Sequence, residues 1–206
     1  MGAEKDGSRQ HESWPMNKDT SSQLLDTSPL PFRRSYWVEP GVLVGGCYPG
    51  DLDAGVAREK LAGLVAVGVT RVGSLMQAEE VDAFGEPFVD YVPVLRALAL
   101  AAARNVAWER IPIRDMGVPS VATMTAILDA IDAEAARGGC TFVHCWGGKG
   151  RTGTVTGCWL MRHRCDTWAT VLGHLERLTA HNRRAFPRIP QTEEQVRFVR
   201  SWPAGQ

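Results

Sequence analysis

The hydrophobic positions of this chain follow two periods, and the change from one to the other predicts its secondary structure. Short apolar or alternating runs, typical of strands, occupy residues 36–46, 70–76, 106–113 and 140–145, and the first run is broken at Pro40-Gly41. Between these runs, apolar residues recur every three or four positions, as on one face of a helix. This second pattern predicts helices over residues 53–67, 95–105, 120–137, 152–164, 167–180 and 192–202.

Residues with strong local preferences mark the ends of some of these elements. Ser120 follows a proline and precedes a long helical pattern, so we expect it to cap the helix N-terminus. Gly138 and Gly139 end that helix. Residues 79–93 have no clear period and are predicted to be irregular. Because strands alternate with helices, we assign the fold class α/β, with a mainly parallel central sheet flanked by helices in one domain.

The N-terminal part of the chain differs from the rest. Residues 1–31 are rich in Ser, Asp, Lys and Gln and show no hydrophobic period. Such a composition is typical of segments that do not bury enough apolar surface to fold. We therefore expect a disordered polar tail over residues 1–31 and a folded domain over residues 32–206.

Composition and charge exclude several classes of function. The 206 residues contain 23 Lys and Arg and 23 Asp and Glu, so no net charge favours nucleic acid or a membrane surface as a partner. No apolar run is long enough to span a membrane. The five cysteines form no C-x-x-C pair, which favours reduced thiols in the cytoplasm and no metal site or cofactor. They are Cys47, Cys140, Cys145, Cys158 and Cys165.

The stretch TFVHCWGGKGRTGT, residues 141–154, concentrates the candidate chemistry. A predicted strand ends at Cys145, a glycine-rich loop follows, and a helix begins near Arg151 or Thr152. Glycines allow successive backbone N–H groups to turn inward as an anion-binding nest, and the helix N-terminus adds further donors. The Arg151 guanidinium offers a planar fork that matches two phosphate oxygens. The sequence thus predicts a site for a tetrahedral dianion above Cys145.

The same positive field favours a thiolate at Cys145, since helix N-termini and nearby cations stabilise ionised cysteine. A thiolate beneath a bound phosphate can attack phosphorus and form a phosphocysteine intermediate. Glycine-rich turns and buried cysteines also occur in purely structural roles, but the full combination in this order is specific. The loop is not a nucleotide-binding P-loop, because Lys149 is followed by glycine rather than Ser or Thr.

The segment HCWGGKGRTG resembles the signature loop of the cysteine-dependent protein tyrosine phosphatase superfamily, and in size and spacing its compact dual-specificity branch, which includes the kinase-associated phosphatase. The resemblance covers residues 36–202 and implies that Cys145 is the nucleophile. It also implies that Thr152 hydrogen-bonds the cysteine sulfur and that His144 supports the loop backbone rather than acting as a base. The implied phosphate-binding residues are Trp146, Gly147, Gly148, Lys149, Gly150 and Arg151.

The resemblance further implies a general-acid aspartate about thirty residues before the cysteine. Asp115 lies thirty positions before Cys145, after a predicted strand, and is followed by Gly117 and Pro119, as expected of a mobile lid. Asp beside Gly and Pro also commonly forms a turn. Asp82 and Asp90, in the irregular segment, are weaker candidates; Asp115 is the predicted acid.

The segment PQTEEQVRF, residues 190–198, resembles the loop in which paired glutamines of tyrosine-specific phosphatases place the hydrolytic water. Gln191 and Gln195 match those positions. Thr192 and Gln195 also have the spacing of a helix capping box, so a structural role is the alternative.

The substrate is less well determined than the mechanism. We expect a metal-independent phosphatase that acts on phosphotyrosine, and as a further expectation on phosphoserine and phosphothreonine. An inositol-phosphate or phosphoinositide phosphatase is the alternative, since Lys149 resembles a lysine that a phosphoinositide phosphatase of this superfamily has at the same step before the arginine. Lys149 either holds an extra phosphate or strengthens the positive field at the thiolate. Arg183, Arg184 and Arg188 form either a basic rim or a solvated loop. A catalytically silent phosphate-binding module and a redox thiol protein are the rivals from other classes.

Overall fold

The computed structural model describes residues 28–206. Most of the predicted tail, residues 1–27, lies outside the described residues. The last residues before position 32 contact the domain: the Trp37 indole donates to the carbonyl of Pro29 at 3.2 Å, and Pro31 is buried. A Cβ atom on Gly63 would lie 1.9 Å from the Pro31 carbonyl oxygen, so helix α1 passes directly over it. The folded region therefore begins before residue 32.

The described chain contains one five-stranded sheet with the order β1-β2-β5-β3-β4. The β1–β2 pair is antiparallel, and the other neighbouring pairs are parallel. This arrangement confirms the predicted α/β fold with a mainly parallel central sheet. The strands are β1 Ser35–Glu39, β2 Leu43–Cys47, β3 Val69–Ser74, β4 Ala107–Arg110 and β5 Cys140–Cys145.

Six α-helices and one short 3-10 helix surround this sheet. They are α1 Ala54–Ala66, α2 Val92–Ala101, α3 Val121–Ala136, α4 Arg151–Arg162, α5 Val171–Leu178, the 3-10 helix Ala180–Asn182 and α6 Glu193–Arg200. Every helix that the periodicity predicts is present. Among residues 28–206, no helix has the length and apolar content that a membrane span requires.

Side-chain caps fix three helix starts where the sequence has cap-forming residues. Asp53 accepts the amides of residues 55 and 56 at the start of α1, and Ser120 accepts the amide of Thr123 at the start of α3. Thr192 begins α6 in a complete capping box. Helix α2 begins three residues earlier than predicted, because Pro93 is well tolerated in a first helical turn.

Helix α4 lies at the centre of the domain. All twelve of its residues are buried, and it packs against α3, α5, α6 and the strands β2 and β5. Helices α1 and α2 form a second apolar core on the other face of the sheet. Because both faces of the parallel strands are covered, the N-terminus of α4 is held rigidly where β5 ends.

The C-terminal ends of the parallel strands meet at one edge of the sheet. In strand register, Cys47 pairs with Cys145, and Ser74 pairs with both His144 and Arg110. Ligands of open α/β sheets bind at this edge. The predicted loop around Cys145 therefore lies where the fold places a site.

Candidate active site

The loop between β5 and α4 packs tightly on the end of β2. Gly148 has φ +74°, and a Cβ atom there would lie 2.5 Å from the amide nitrogen of Cys47, so only glycine fits. Helix α4 starts after Gly150 without a side-chain cap. In the described part of the chain, no amide of residues 147–153 donates to a backbone carbonyl. These donors, together with the helix dipole, form an anion-binding concavity.

Cys145 lies at the base of this loop with 3% of its surface exposed. The hydroxyl of Thr152, which is fully buried, lies 3.2 Å from the Cys145 sulfur and 3.4 Å from the carbonyl oxygen of Gly46. Sulfur has a larger radius than oxygen, yet its distance from the hydroxyl is the shorter of the two, so the contact with Sγ is the closer one. The hydroxyl therefore donates to Sγ. The contact implied for Thr152 is thus present, and it stabilises negative charge on the sulfur.

Arg151 is held beside the loop by several oxygen acceptors. It is 1% exposed and forms a two-pronged ion pair with Glu80, in which Nη2 lies 2.9 Å from Oε2. Nη1 also donates to the carbonyls of Leu75 at 3.3 Å and Ile113 at 3.0 Å. Burial disfavours the charged guanidinium, but the hydrogen bond to Glu80 and the nearby charges of Cys145, Glu80 and Asp115 together outweigh it and raise the pKa of Arg151.

The Arg151 Nε atom is buried and has no hydrogen-bond partner in the described part of the chain. A buried donor without a partner is costly, and binding of a ligand is one explanation for such an atom in a native structure. Residues 145–151 thus bring together a sulfur nucleophile, free backbone donors and an unsatisfied guanidinium N–H.

Asp115 is brought to the same place. Its Oδ1 lies 3.0 Å from Arg151 Nη2, and its side chain is 55% exposed. The adjacent Met116 has φ +63°, a left-handed conformation that is uncommon outside glycine. Its carbonyl accepts from Thr192, and that of Gly117 accepts from Gln195. The predicted lid is therefore anchored to the start of α6.

The two weaker acid candidates have local structural roles. Asp82 accepts the amides of Phe84 at 2.8 Å and Glu86 at 3.0 Å within a turn. Asp90 accepts the amide of Val92 at 3.0 Å at the start of α2. Of the three aspartates, Asp115 is the one that the structure pairs with Arg151.

Both predicted glutamines lie beside the loop. A Cβ atom on Gly150 would lie 3.2–3.3 Å from amide atoms of Gln191 and Gln195. Gln195 is fully buried, its Oε1 accepts the amides of Gln191 and Thr192, and its Nε2 donates to Gly117 at 3.0 Å. The capping alternative thus holds for Gln195, which also positions the Asp115 loop. The placement of water by either glutamine stays a prediction.

The rim of the site contains a tryptophan and a lysine. Trp146 is 39% exposed, and its ring packs edge-to-face on Phe88 at 5.6 Å. Lys149 forms no ion pair or hydrogen bond with the described residues. Arg34 donates to the Gly147 carbonyl at 3.3 Å, which fixes the first turn of the loop. The arginines before the glutamine segment are exposed, and Arg188 pairs with Glu193.

His144 supports the loop backbone through a chain of hydrogen bonds. The Trp108 indole donates to the Tyr91 hydroxyl at 2.9 Å. The oxygen of that hydroxyl lies 2.6 Å from His144 Nε2. Nδ1 then carries the proton and faces the Cys145 carbonyl at 3.4 Å. Burial lowers the pKa of His144 to about 3, so the ring is neutral. This supporting role agrees with the one that the resemblance implies.

The remaining four cysteines differ from Cys145 in their surroundings. All five are free thiols. Burial raises the pKa of Cys140 to about 12 and that of Cys165 to about 11, and it also raises those of Cys47 and Cys158. These four stay protonated at neutral pH, and of the five cysteines Cys145 is the one from which the anion-binding loop leads. Among residues 28–206, no three His, Cys, Asp or Glu side chains are grouped to hold a metal ion.

Sequence reasoning missed Glu80, Tyr91 and Trp108. Glu80 lies 71 positions from Arg151 in an irregular segment, and Tyr91 and Trp108 act only through His144. One signal for Glu80 was available. It follows the end of β3 as Asp115 follows the end of β4, and the ends of neighbouring parallel strands share one edge.

Comparisons with known proteins agree with this geometry. Residues 32–195 match the family model of the Swiss Army Knife protein DSP-PTPase phosphatase domain. The phosphatidylglycerophosphate phosphatase PTPMT2 of Arabidopsis thaliana is 34% identical over 91 residues, which are 44% of this chain and 38% of that protein. A second relative, an uncharacterized protein of Methanocaldococcus jannaschii, is 45% identical over 49 residues, 24% of this chain and 33% of that protein. The chain thus matches about a third of each relative.

Solved structures show the same fold. The crystal structure of Tk-PTP in the active form has a TM-score of 0.57 at 22% identity and covers 82% of this chain and 95% of that chain. Kinase-associated phosphatase has a TM-score of 0.60 at 16% identity, with 81% and 90% covered. With the family match over most of its length, the chain belongs to the dual-specificity phosphatase-like family of the protein tyrosine phosphatase superfamily.

Proposed function

We propose that this protein hydrolyses phosphate monoesters by two successive displacements through a phosphocysteine at Cys145. The observation that supports this most directly is the 3.2 Å contact between Thr152 and the Cys145 sulfur at the base of a loop of free N–H donors. A sulfur in this position is stabilised as an anion and faces a bound phosphoryl group.

In the first displacement, the Cys145 sulfur attacks phosphorus while the bond to the leaving oxygen breaks. The loop amides and Arg151 hold the equatorial oxygens, whose charge must be stabilised in the transition state. Asp115 transfers its proton to the leaving oxygen, so that an alcohol or phenol departs. Two Arg151 donors form the fork that holds the phosphate oxygens. They are Nε, which has no partner among the described residues, and Nη2, which Asp115 contacts in this structure.

In the second displacement, water attacks the phosphocysteine, and the S–P bond breaks to release inorganic phosphate. Asp115, now ionised, accepts the water proton. Gln191, beside Gly150, is placed to orient the water. Thr152 stabilises the departing thiolate through its hydroxyl. Each residue thus acts in a step that its position permits.

For the substrate, the first candidate is phosphotyrosine, with phosphoserine and phosphothreonine as further protein substrates. Cys145 is recessed, with 3% of its surface exposed, below a rim formed by Trp146 and Phe88. A phenyl ring extends a phosphate away from a peptide backbone and packs favourably against aromatic edges. The five free thiols favour a reducing compartment, and we place the activity in the cytoplasm.

A second candidate is a phosphorylated polyol, either free or as a lipid headgroup. Lys149 has no partner among the described residues and lies at the mouth of the loop, where an additional anion would meet it. The similarity over 91 residues to a phosphatidylglycerophosphate phosphatase supports the same class.

A substrate panel with purified protein tests the proposal. We expect hydrolysis of para-nitrophenyl phosphate in the presence of chelator, with loss of turnover in Cys145→Ser. Phosphotyrosine peptides and inositol phosphates are then compared by kcat/KM to rank the two substrate candidates. Wild-type turnover by Cys145→Ser, or no turnover of any phosphate monoester, would refute the proposal.

A further inference from the structure

A cavity of about 290 Å³ opens beside the catalytic loop, and the catalytic steps above do not use it. We call it the side cavity. It lies between the end of β3, the segment 77–90, the first turns of α2, and β4. Its walls include the rings of Tyr48, Phe88, Tyr91 and Trp108, and it shares Glu80 and His144 with the candidate active site. An occupant would therefore lie beside two residues that support the catalytic loop and Arg151.

The charged groups of the side cavity are not balanced. Glu80 is neutralised by its ion pair with Arg151. Arg96 and Arg110 also line the cavity, and neither forms an ion pair or hydrogen bond with any residue in the range 28–206. Asp90 is the remaining lining carboxylate, and it accepts the Val92 amide. The cavity is therefore lined by two guanidinium groups and by one carboxylate, that of Asp90, that forms no ion pair with the described residues.

The sheet fixes the distance between the backbone of Arg110 and that of the residue before the nucleophile. Arg110, Ser74 and His144 are register partners on three adjacent strands. Neighbouring strands are roughly 4.8 Å apart, so the Cα atoms of Arg110 and His144 are roughly 10 Å apart. Cys145 follows His144 directly. The Arg110 guanidinium lies 5.5 Å from the Trp108 ring centre, which holds it over the aromatic wall.

We infer that the side cavity is an accessory anion subsite in which Arg96 and Arg110 bind a second phosphate group of the substrate molecule. This inference rests on the proposed phosphatase activity and selects its second substrate class, a polyol that carries two phosphate groups. The reacting phosphate occupies the Cys145 loop, and the second phosphate, as a monoester or a diester, enters the cavity.

The size and charge of the cavity favour a phosphorylated polyol over a peptide. Liquid water occupies about 30 Å³ per molecule, so the cavity holds a phosphate and a few carbons rather than a folded chain segment. Two guanidinium forks match the oxygens of a phosphate group, whose charge reaches roughly −2 as a monoester. A single acidic side chain of a phosphopeptide carries half of that charge.

The test compares substrates that differ by one phosphate. Kinetics of wild type and of the double variant Arg96→Gln/Arg110→Gln are measured on myo-inositol 1-phosphate, myo-inositol 1,4-bisphosphate and para-nitrophenyl phosphate. We expect wild type to prefer the bisphosphate, and the double variant to lose about tenfold more kcat/KM on it than on para-nitrophenyl phosphate. Arg58→Gln is the matched control, since Arg58 is an exposed arginine on α1 away from the cavity.

A binding measurement separates this subsite from turnover. In the Cys145→Ser background, titration with the two inositol phosphates should show tighter binding of the bisphosphate, and the two arginine substitutions should remove the difference. Binding of the same variants to phosphatidylcholine vesicles that contain phosphatidylinositol 4-phosphate tests whether the second phosphate belongs to a lipid headgroup. An arginine-dependent preference in solution or on vesicles supports the subsite and identifies the source of its ligand.

Other outcomes overturn the inference. Equal loss on all three soluble substrates would show that the arginines act on stability or on the main site. Arginine dependence confined to phosphotyrosine peptides with flanking glutamates would assign the cavity to proteins instead. Turnover of para-nitrophenyl phosphate with no preference for a second phosphate would refute the subsite alone, whereas no turnover of any substrate would refute the proposed function.

Discussion

Asp115 and Arg151 form an ion pair of 3.0 Å across the candidate site, so the proposed proton donor is held by the proposed phosphate ligand. Phosphate oxygens that bind Arg151 Nη2 compete directly with the Asp115 carboxylate. Because Asp115 is half exposed and its loop is tied to α6 through residues 116 and 117, it can turn away without unfolding the loop. In the proposed mechanism, substrate binding would therefore free the carboxyl group for proton transfer.

The first prediction concerns the leaving group. Asp115→Asn should reduce kcat/KM on alkyl phosphates by roughly 10²–10⁴, the usual contribution of a general acid. The loss should be much smaller for para-nitrophenyl phosphate, whose leaving group needs little protonation. Asp82→Asn, in a turn that does not contact Arg151, is the control. Equal losses on good and poor leaving groups would assign the acid role to another residue.

The second prediction concerns the anchoring of Arg151. Glu80→Gln removes the charge that offsets the buried guanidinium, so the unfolding free energy should fall by about 1–3 kcal/mol. The kcat/KM for para-nitrophenyl phosphate should fall as well, because the fork loses its fixed orientation. Denaturant unfolding and steady-state kinetics measure the two effects.

Glu109→Gln is the matched control for this substitution. Glu109 pairs with Arg71 at the surface, where its side chain is 50% exposed. Surface ion pairs contribute little to stability, so this variant should resemble wild type in both measurements. If the two variants behave alike, the Glu80 pair does not position Arg151.

The third prediction concerns the second displacement. Thr152→Val keeps the shape of the side chain and removes the hydroxyl that contacts the sulfur at 3.2 Å. A poorer thiolate leaving group should slow hydrolysis of the phosphocysteine more than its formation. Rapid mixing with para-nitrophenyl phosphate should then show a burst of nitrophenol followed by a slow phase. Thr125→Val on α3 should show wild-type kinetics, and a Thr152→Val variant without a burst would contradict the assigned role.

The fourth prediction follows from the neutral ring of His144. Its pKa is about 3 in the folded protein, against about 6.5 for an unperturbed histidine. Between these values the unfolded chain binds one more proton, so the unfolding free energy should fall by up to about 1.4 kcal/mol per pH unit as the pH drops from 6.5 toward 3.

Denaturant unfolding of wild type and His144→Gln at several pH values measures this effect. In His144→Gln the unfolding free energy should no longer show this contribution to its fall between pH 6.5 and pH 3. The variant should also be less stable at neutral pH, because the hydrogen bonds of His144 to Tyr91 and the loop are gone. His181→Gln, at an exposed position, should keep the wild-type slope. An unchanged slope in His144→Gln would show that the buried ring does not govern acid stability.

Much of the fold is local in origin and was therefore predictable. Ser120 caps α3 as predicted, and the glycines at 138 and 139 follow its end. Strand β5 occupies the predicted residues 140–145. Strand β4 is shorter than the predicted 106–113 and ends at Arg110, shortly before Pro112, which has no N–H to donate. Such signals reside within a few residues of the element that they determine.

The parts of the site that sequence reasoning missed depend on pairing between distant segments. Glu80 meets Arg151 because β3 and β5 are neighbours, and Tyr91 meets His144 because α2 covers the end of the sheet. The register that brings Arg110 into line with His144 also requires the strand order. Spacing along one chain does not encode these contacts, whereas Asp115 was found because the family resemblance implies an acid about thirty residues before Cys145.

The most direct measurement of the central claim is to trap the covalent intermediate. Wild type and the Thr152→Val variant are mixed with para-nitrophenyl phosphate, quenched in acid, and the digested protein is analysed by mass spectrometry. The account predicts one added phosphoryl group on the peptide that contains Cys145, more of it in Thr152→Val, and none in Cys145→Ser. A phosphoryl group on another residue, or turnover in Cys145→Ser without any phosphoenzyme, would contradict it.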